Sequence, residues 1–157
     1  MIADNEKNIK IDIRMENFDV NLEISLLTEQ YFEIGAIVSF LGLVRDMSTN
    51  NDLKFMEIEH YPEMTEKILW KRCKNAISRW KITGISLIHR VGKLYPGENI
   101  VLLVIASSHR EEAFNASEFI MDFLKSEAPF WKKETTSTEA NWVEQSEIDK
   151  LKLSRWN

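Results

Sequence analysis

Two apolar runs separated by a short turn constrain the fold of this chain more than any other feature. Residues 85–90 (ISLIHR) and 99–106 (NIVLLVIA) are rich in aliphatic and β-branched side chains, which favour strands. Pro96 and Gly97 supply turn chemistry between the two runs. The pattern therefore predicts two neighbouring antiparallel strands.

Three further segments have the composition of strands. Residues 9–14 (IKIDIR) and 53–61 (LKFMEIEHY) alternate between apolar and polar side chains, and residues 36–44 (AIVSFLGLV) are apolar enough for a buried strand. Gly42, inside the apolar segment, indicates a bulge or a close approach of another part of the chain.

Helical spacing of apolar residues marks two segments between these strands. Residues 62–80 are amphipathic and begin with Pro62, which suits the first turn of a helix. A second helix is predicted over residues 20–32, with Asp19 as its N-cap.

A third helix is predicted to begin near His109 and to end before Pro129, which disfavours helical backbone at the preceding residue. Ser108 and Glu111 have the spacing of a capping box. An amphipathic tail covers residues 141–157. This order of elements predicts an α+β fold with a mostly antiparallel or mixed sheet.

Length and charge limit the class of protein. A chain of 157 residues favours a single domain over 1–157, and a net charge of -5 disfavours a general nucleic-acid binder. Cys73 is the sole cysteine, so no internal disulfide can form. No apolar run has the length of a membrane span, and the N-terminal segment lacks the apolar core of a signal peptide. We therefore expect a soluble cytoplasmic protein.

Several cations stand at the ends of predicted elements. His109 and Arg110 fall in the first turn of the third helix, where free backbone N–H groups and the helix dipole attract anions. Arg45 follows a predicted strand, and His89 and Arg90 end another. The alternatives are a solvated pair at the helix start, a surface salt bridge at Arg45, and a strand-edge pair meeting solvent or a glutamate.

The segment FLKSEAPFWKKE (123–134) places three lysines around a Pro-Phe-Trp turn. If the aromatic residues are anchored in the core, Lys125 and Lys132 are held near the protein body and near the arginines. Repulsion and partial burial then lower lysine pKa values, and such a lysine acts as an acid, base or nucleophile. The alternative is that the lysine stems lie along the hydrophobic turn with their ammonium groups in water.

Seven segments, taken in order, resemble the large catalytic subunit of molybdopterin synthase. They are GAIVSFLGLVR (35–45), EIEHYPEMTEK (57–67), IHRVGKL (88–94), PGENIV (96–101), SSHREEAF (107–114), FIMDFLKSEAPFWKKE (119–134) and NWVE (141–144). Each segment alone is weakly specific, whereas the ordered set is highly specific. The resemblance covers residues 35–144 and leaves the tail, 145–157, outside it.

The resemblance implies a fold and a reaction. The fold is an α/β hammerhead with an additional antiparallel β subdomain. The reaction is sulfur transfer that converts cyclic pyranopterin monophosphate to molybdopterin, the dithiolene ligand of the molybdenum cofactor. The sulfur donor is the thiocarboxylated C-terminal glycine of a small ubiquitin-like subunit, and a homodimer of large subunits forms the core of a heterotetramer. Neither a cofactor nor a metal is implied in this subunit, because molybdenum is inserted later in the pathway.

The resemblance also implies roles for individual residues. The catalytic positions fall on Lys125 and Lys132. Substrate-binding positions fall on Arg45, His109, Arg110, Lys133 and Glu134, and the His-Arg pair is contributed across the dimer to the neighbouring subunit's site. Pocket-lining positions fall on Phe40, Leu43, Val44 and Met121.

The chain departs from the family pattern at three places. Leu43 stands where a lysine is common, Ser146 where an arginine is common, and residues 139–141 lack a glycine common before Trp142. Two other functions are weighed against sulfur transfer. A non-catalytic scaffold or anion-binding module would bind the small subunit without turnover, and an unrelated phosphate-ester enzyme would turn over without a protein sulfur donor.

Overall fold

The computed structural model describes residues 8–48 and 50–157, which form two four-stranded sheets and four helices. In chain order the elements are β1 (Ile9–Arg14), α1 (Val20–Thr28), β2 (Ala36–Leu43), β3 (Phe55–His60), α2 (Pro62–Arg79), β4 (Ile82–Arg90), β5 (Gly92–Leu94), β6 (Asn99–Ser107), α3 (Arg110–Leu124), β7 (Phe130–Thr135), β8 (Ala140–Trp142) and α4 (Glu147–Ser154). Within the described residues, no helix combines the length and apolarity needed to cross a bilayer.

The first sheet has the strand order β1-β4-β6-β2 and carries the core on both faces. Strands β4 and β6 pair antiparallel at its centre, as predicted, whereas β1 pairs parallel with β4, so the sheet is mixed. Leu103 and Ile105 on β6 join the core beneath α2 and α3, and Leu102 and Val104 join a smaller core beneath α1. Because successive side chains of a strand point to opposite faces of the sheet, β6 contributes side chains to both cores.

The second sheet is antiparallel, with the order β5-β3-β7-β8. Met56 and Ile58 of β3 and Leu94 of β5 belong to the same core as α2 and α3. Lys132 of β7 lies opposite Ile58 in the register of β7 with β3. The predicted turn at Pro-Phe-Trp is thus wrong beyond Pro129, because Phe130 already begins a strand that pairs with β3.

Strand β2 lies where the sequence predicted a strand, but it is not buried as predicted. It lies at the edge of the first sheet, hydrogen-bonded to β6, and it exposes 37% of Phe40, 40% of Leu41 and 50% of Leu43. The predicted irregularity at Gly42 is confirmed, since the register with β6 shifts between Gly42 and Leu43. A Cβ on Gly42 would meet Val101 Cγ1 at 2.8 Å, so the close approach is also present.

Two helix ends differ from their predictions. Helix α1 has the predicted Asp19 cap, which accepts from the Leu22 amide at 3.0 Å, but it ends at Thr28 and leaves the Phe32 side chain fully exposed. Helix α3 begins after His109, which is extended and makes no side-chain capping bond. The predicted capping box is wrong because Ser108 lies one residue outside the helix start.

Candidate functional site

A cavity of about 400 Å³ opens between the end of α3, strand β7 and the start of α4. Three cations line it, Arg45, Lys125 and Lys132, together with His89, Glu144 and Asp149. The structure thus brings together three of the cations that the sequence singled out. Among the described residues, no group of three or more His, Cys, Asp or Glu side chains is arranged to hold a metal ion.

The chain positions the two cavity lysines through the end of α3 and the turn that follows. Lys125 is the C-cap of α3, and its amide donates to the Met121 carbonyl at 3.0 Å. The Phe123 carbonyl then accepts from three successive amides, those of Ser126 (3.1 Å), Glu127 (2.9 Å) and Ala128 (3.1 Å). This compact turn ends the helix and directs the chain into β7.

Alternation along β7 separates its side chains into two sets. Phe130 and Lys132 point toward the cavity, and both line it. Trp131 points to the other face, where it packs edge-on against Tyr61 with ring centroids 5.1 Å apart. Lys133 shares that face, with its Nζ 5.7 Å from the Trp142 ring centroid. Of the two adjacent lysines, Lys132 alone therefore lines the cavity.

Lys132 has an unusual electrostatic environment. Burial is the largest cause that lowers its pKa, and the charge of Lys125 is the next. Asp149 and Glu134 partly oppose both effects, and together the four causes take the pKa from 10.5 to about 8. Desolvation and like charge both disfavour the ammonium form. A lysine of this kind exchanges protons near neutral pH, while Arg45 and Lys125 can attract an anionic group to the same cavity.

His89 is a cavity residue that the sequence placed at a strand end with Arg90 but did not assign to the site. Its ring is buried, and Nδ1 lies 2.8 Å from the Arg90 carbonyl oxygen. Because a carbonyl only accepts, Nδ1 carries the proton. Burial, the largest cause, acts with the charges of Lys132, His60 and Lys125 and against the Arg90 hydrogen bond to lower the pKa of His89 to about 3. The ring is therefore neutral.

The predicted strand-edge pair at His89 and Arg90 is correct only in part. Arg90 does meet a glutamate, with its Nη1 3.5 Å from Glu98 Oε1, but His89 and Arg90 are both buried. Arg90 also donates from Nε to the Met15 carbonyl at 3.0 Å and from Nη1 to the Asn99 carbonyl at 3.1 Å. The sequence signal for burial was the position of His89 at the end of an apolar run.

His109 and Arg110 lie at the opposite end of α3 from Lys125. The helix has 15 residues, so its ends are roughly 20 Å apart at 1.5 Å per residue. His109 instead lines a second cavity of about 400 Å³ with Arg79, Lys81 and Glu112. One chain therefore does not bring the His-Arg pair to the lysines.

The remaining predicted residues lie around the first cavity or away from it. Glu134 is close enough to raise the pKa of Lys132. The four residues predicted to line the pocket are absent from the described lining of this cavity: Phe40 and Leu43 are exposed on β2, Val44 is in the core, and Met121 packs against the core. Their predicted role stays a prediction.

Comparison with known proteins decides the family. A family model described as MoaE protein matches residues 13–127. This chain belongs to the MoaE family. Among curated MoaE-family relatives, the molybdopterin synthase catalytic subunit of Ralstonia nicotianae is 49% identical over 146 residues, which is 93% of this chain and 83% of the relative. That of Haemophilus influenzae is 47% identical over 149 residues, which is 95% of this chain and 99% of the relative.

Solved structures of MoaE-family proteins agree in fold. The molybdopterin biosynthesis MoaE protein of Burkholderia ambifaria matches with a TM-score of 0.81 and 44% identity, over 94% of this chain and 97% of that one. Molybdopterin synthase of Staphylococcus aureus matches with a TM-score of 0.76 and 28% identity, over 85% of this chain and 96% of that one.

Proposed function

We propose that this chain is the catalytic subunit of a molybdopterin synthase. It converts cyclic pyranopterin monophosphate to molybdopterin with sulfur from the thiocarboxylated C-terminal glycine of a small ubiquitin-like subunit. The observation that carries the proposal is one cavity in which Lys125, Arg45 and a Lys132 of lowered pKa meet, in a chain 49% identical to a molybdopterin synthase catalytic subunit. The two-sheet architecture supports naming the fold an α/β hammerhead with an additional antiparallel β subdomain.

The two lysines act in different steps of the proposed reaction. The thiocarboxylate sulfur attacks a substrate carbon, and a C–S bond forms while the C–O bond at that carbon breaks. The displaced oxygen stays on the opened phosphate in one transfer and leaves as water in the other, and the partner's tail is then attached as a thioester. Water then attacks the thioester carbonyl, the acyl C–S bond breaks, and the tail leaves as a carboxylate while sulfur stays on the pterin. Exposed Lys125, nearest the thioester carbonyl, stabilises the oxyanion and moves protons. Partly buried Lys132 holds the pterin or its phosphate and assists opening of the cyclic phosphate.

The charges of the cavity fit these ligands. A phosphate and a carboxylate-like tail are anions, and the cavity offers Arg45 and two lysines. Each cation thus gains a partner when substrate and tail are bound, which offsets the repulsion between Lys125 and Lys132 in the free protein.

The complete site requires a second copy of the chain. His109 and Arg110 lie a helix length from Lys125, and the exposed apolar residues of the β2 edge, Phe40, Leu41 and Leu43, offer a surface for a homodimer. In the proposed heterotetramer, each large subunit supplies its His-Arg pair to the neighbouring site, and one small subunit binds at each end.

A single-turnover assay tests the function. Purified protein is mixed with cyclic pyranopterin monophosphate and a thiocarboxylated small subunit, and dithiolene product is measured for the wild type, Lys125→Ala and Lys132→Ala. Lys71→Ala, an exposed change on α2 that does not line the cavity, is the control. Product in the wild type and control but not in the cavity variants is expected. Bound partner without product in the wild type would instead indicate a scaffold.

A further inference from the structure

The ring of His89 stacks on Phe130, and both residues line the cavity. The two ring centroids are 3.8 Å apart and the planes are inclined by only 9°. On the neighbouring strand, the His60 ring is 6.2 Å from Phe130 at 23°. Because His89 belongs to β4 of the first sheet and Phe130 to β7 of the second, this stack joins the two sheets beside the cavity.

The orientation of the His89 ring is fixed from the other side. Its Nδ1–H donates to the Arg90 carbonyl at 2.8 Å, and Arg90 is itself held by Glu98 and by two backbone carbonyls. The ring therefore cannot turn without losing a buried hydrogen bond.

Lys132 is the next residue along β7 on the same face as Phe130. Both side chains line the cavity, so the Phe130 ring is the neighbour of Lys132 on this face of β7. The depth of the Lys132 side chain in the cavity matters for its pKa, since burial is the largest cause of the lowered value.

We propose that His89 is a positioning residue of the lysine site, whose hydrogen-bonded ring stacks on Phe130 and so holds Lys132 at its depth in the cavity. The catalytic importance of this arrangement rests on the proposed function, whereas the arrangement itself is measurable in the free protein. A neutral ring suits the task, because a charged imidazolium would add another cation beside Lys125 and Lys132.

The test separates stacking from hydrogen-bond chemistry at His89. His89→Phe keeps an aromatic ring that can stack on Phe130 and removes both ring nitrogens. His89→Asn keeps a donor for the Arg90 carbonyl and removes the aromatic ring. Phe130→Leu breaks the same stack from the other side. Trp131→Leu, which removes an aromatic contact on the opposite face of β7, is the matched control.

The readout is the pKa of Lys132 in the full-length chain, followed by NMR of ¹³Cε-labelled lysine and assigned by the signal lost in Lys132→Met. His89→Phe and Trp131→Leu are expected to keep the pKa near the wild-type value. His89→Asn and Phe130→Leu are expected to raise it by a unit or more, and each unit lowers the neutral fraction of Lys132 at pH 7 about tenfold. Thermal unfolding of each variant verifies that it is folded.

Two results would overturn the proposal. An unchanged Lys132 pKa in folded His89→Asn and Phe130→Leu would show that the stack does not position the lysine. Loss of single-turnover product in His89→Phe, with the Lys132 pKa unmoved, would show that a ring nitrogen acts directly. A wild type without product but with the expected pKa shifts would refute the proposed function and leave the positioning role intact.

Discussion

Replacing Lys132 by methionine is expected to stabilise the fold at pH 7 while abolishing product formation. The pKa of Lys132 is lowered from 10.5 to about 8 by burial and by Lys125. The folded state therefore binds a proton at this site less readily than the unfolded chain does. A shift of this size corresponds to about 3 kcal/mol at 1.36 kcal/mol per pKa unit, and the folded state bears that cost when both states are protonated.

The pH dependence of the stability difference shows whether the gain in stability comes from removing the charge of Lys132. Below pH 8, both states carry the ammonium and the full cost is present. Between pH 8 and 10.5, the folded state loses its proton first and the cost declines. By pH 10.5 it falls below about 0.5 kcal/mol, because the unfolded chain is also losing its proton. The stability difference between Lys132→Met and wild type is therefore expected to shrink by about 3 kcal/mol between pH 7 and 10.5.

Urea unfolding of the full-length chain at both pH values measures this difference. Protein concentration is held constant, because association of subunits adds to apparent stability. Lys133→Met changes the adjacent strand position on the opposite face and reports the generic effect of removing one lysine from β7. A gain of equal size at both pH values would refute the reasoning, since it would reflect only the packing of a more apolar side chain.

Three other variants test separate parts of the structure. Lys125→Met removes a charge that lowers the pKa of Lys132, so that pKa is expected to rise toward 10.5 in a lysine NMR titration; an unchanged value would contradict the coupling. His89→Phe is expected to lose stability less steeply than wild type on acidification. Below pH 6.5 the unfolded wild-type chain binds a proton at His89, whereas the folded state, with a His89 pKa of about 3, does not, and this difference costs the wild type about 2 kcal/mol at pH 5. Equal slopes in urea unfolding would refute this. Asp122→Ala removes the acceptor of the Trp156 indole N–H, bonded at 2.7 Å, so faster amide exchange is expected in α4 with little change in β6, and equal protection of α4 would show that this contact does not hold the tail.

The central strands were predictable because local composition decided them. The runs that became β4 and β6 consist of aliphatic side chains that are buried wherever they lie, and the turn chemistry between them requires no long-range partner. Helix α2 was predictable for the same reason, since its apolar spacing and its initial proline are properties of the segment itself.

Strand β7 could not be predicted from its own residues. FWKKET lacks regular alternation of apolar and polar side chains, and it becomes a strand because β3, more than seventy residues earlier, supplies its hydrogen-bonding partners. The same limit applies to the stacking partner of His89. The end of an apolar run indicated that His89 is buried, but composition at neither position indicates that its ring stacks on Phe130 of the second sheet.

The candidate site could be predicted in part. The sequence selected Arg45, Lys125 and Lys132, and the structure brings them to one cavity. Arg45 follows β2 and Lys125 caps α3, two elements whose positions were predicted nearly correctly, whereas Lys132 belongs to β7, which was not predicted. What the sequence could not supply was the balance of charges. Asp149, from the tail beyond the family match, raises the pKa of Lys132 while Lys125 lowers it. The proton affinity of the central lysine is therefore set jointly by the end of α3, the second sheet and α4, and it exists only once all three have packed together.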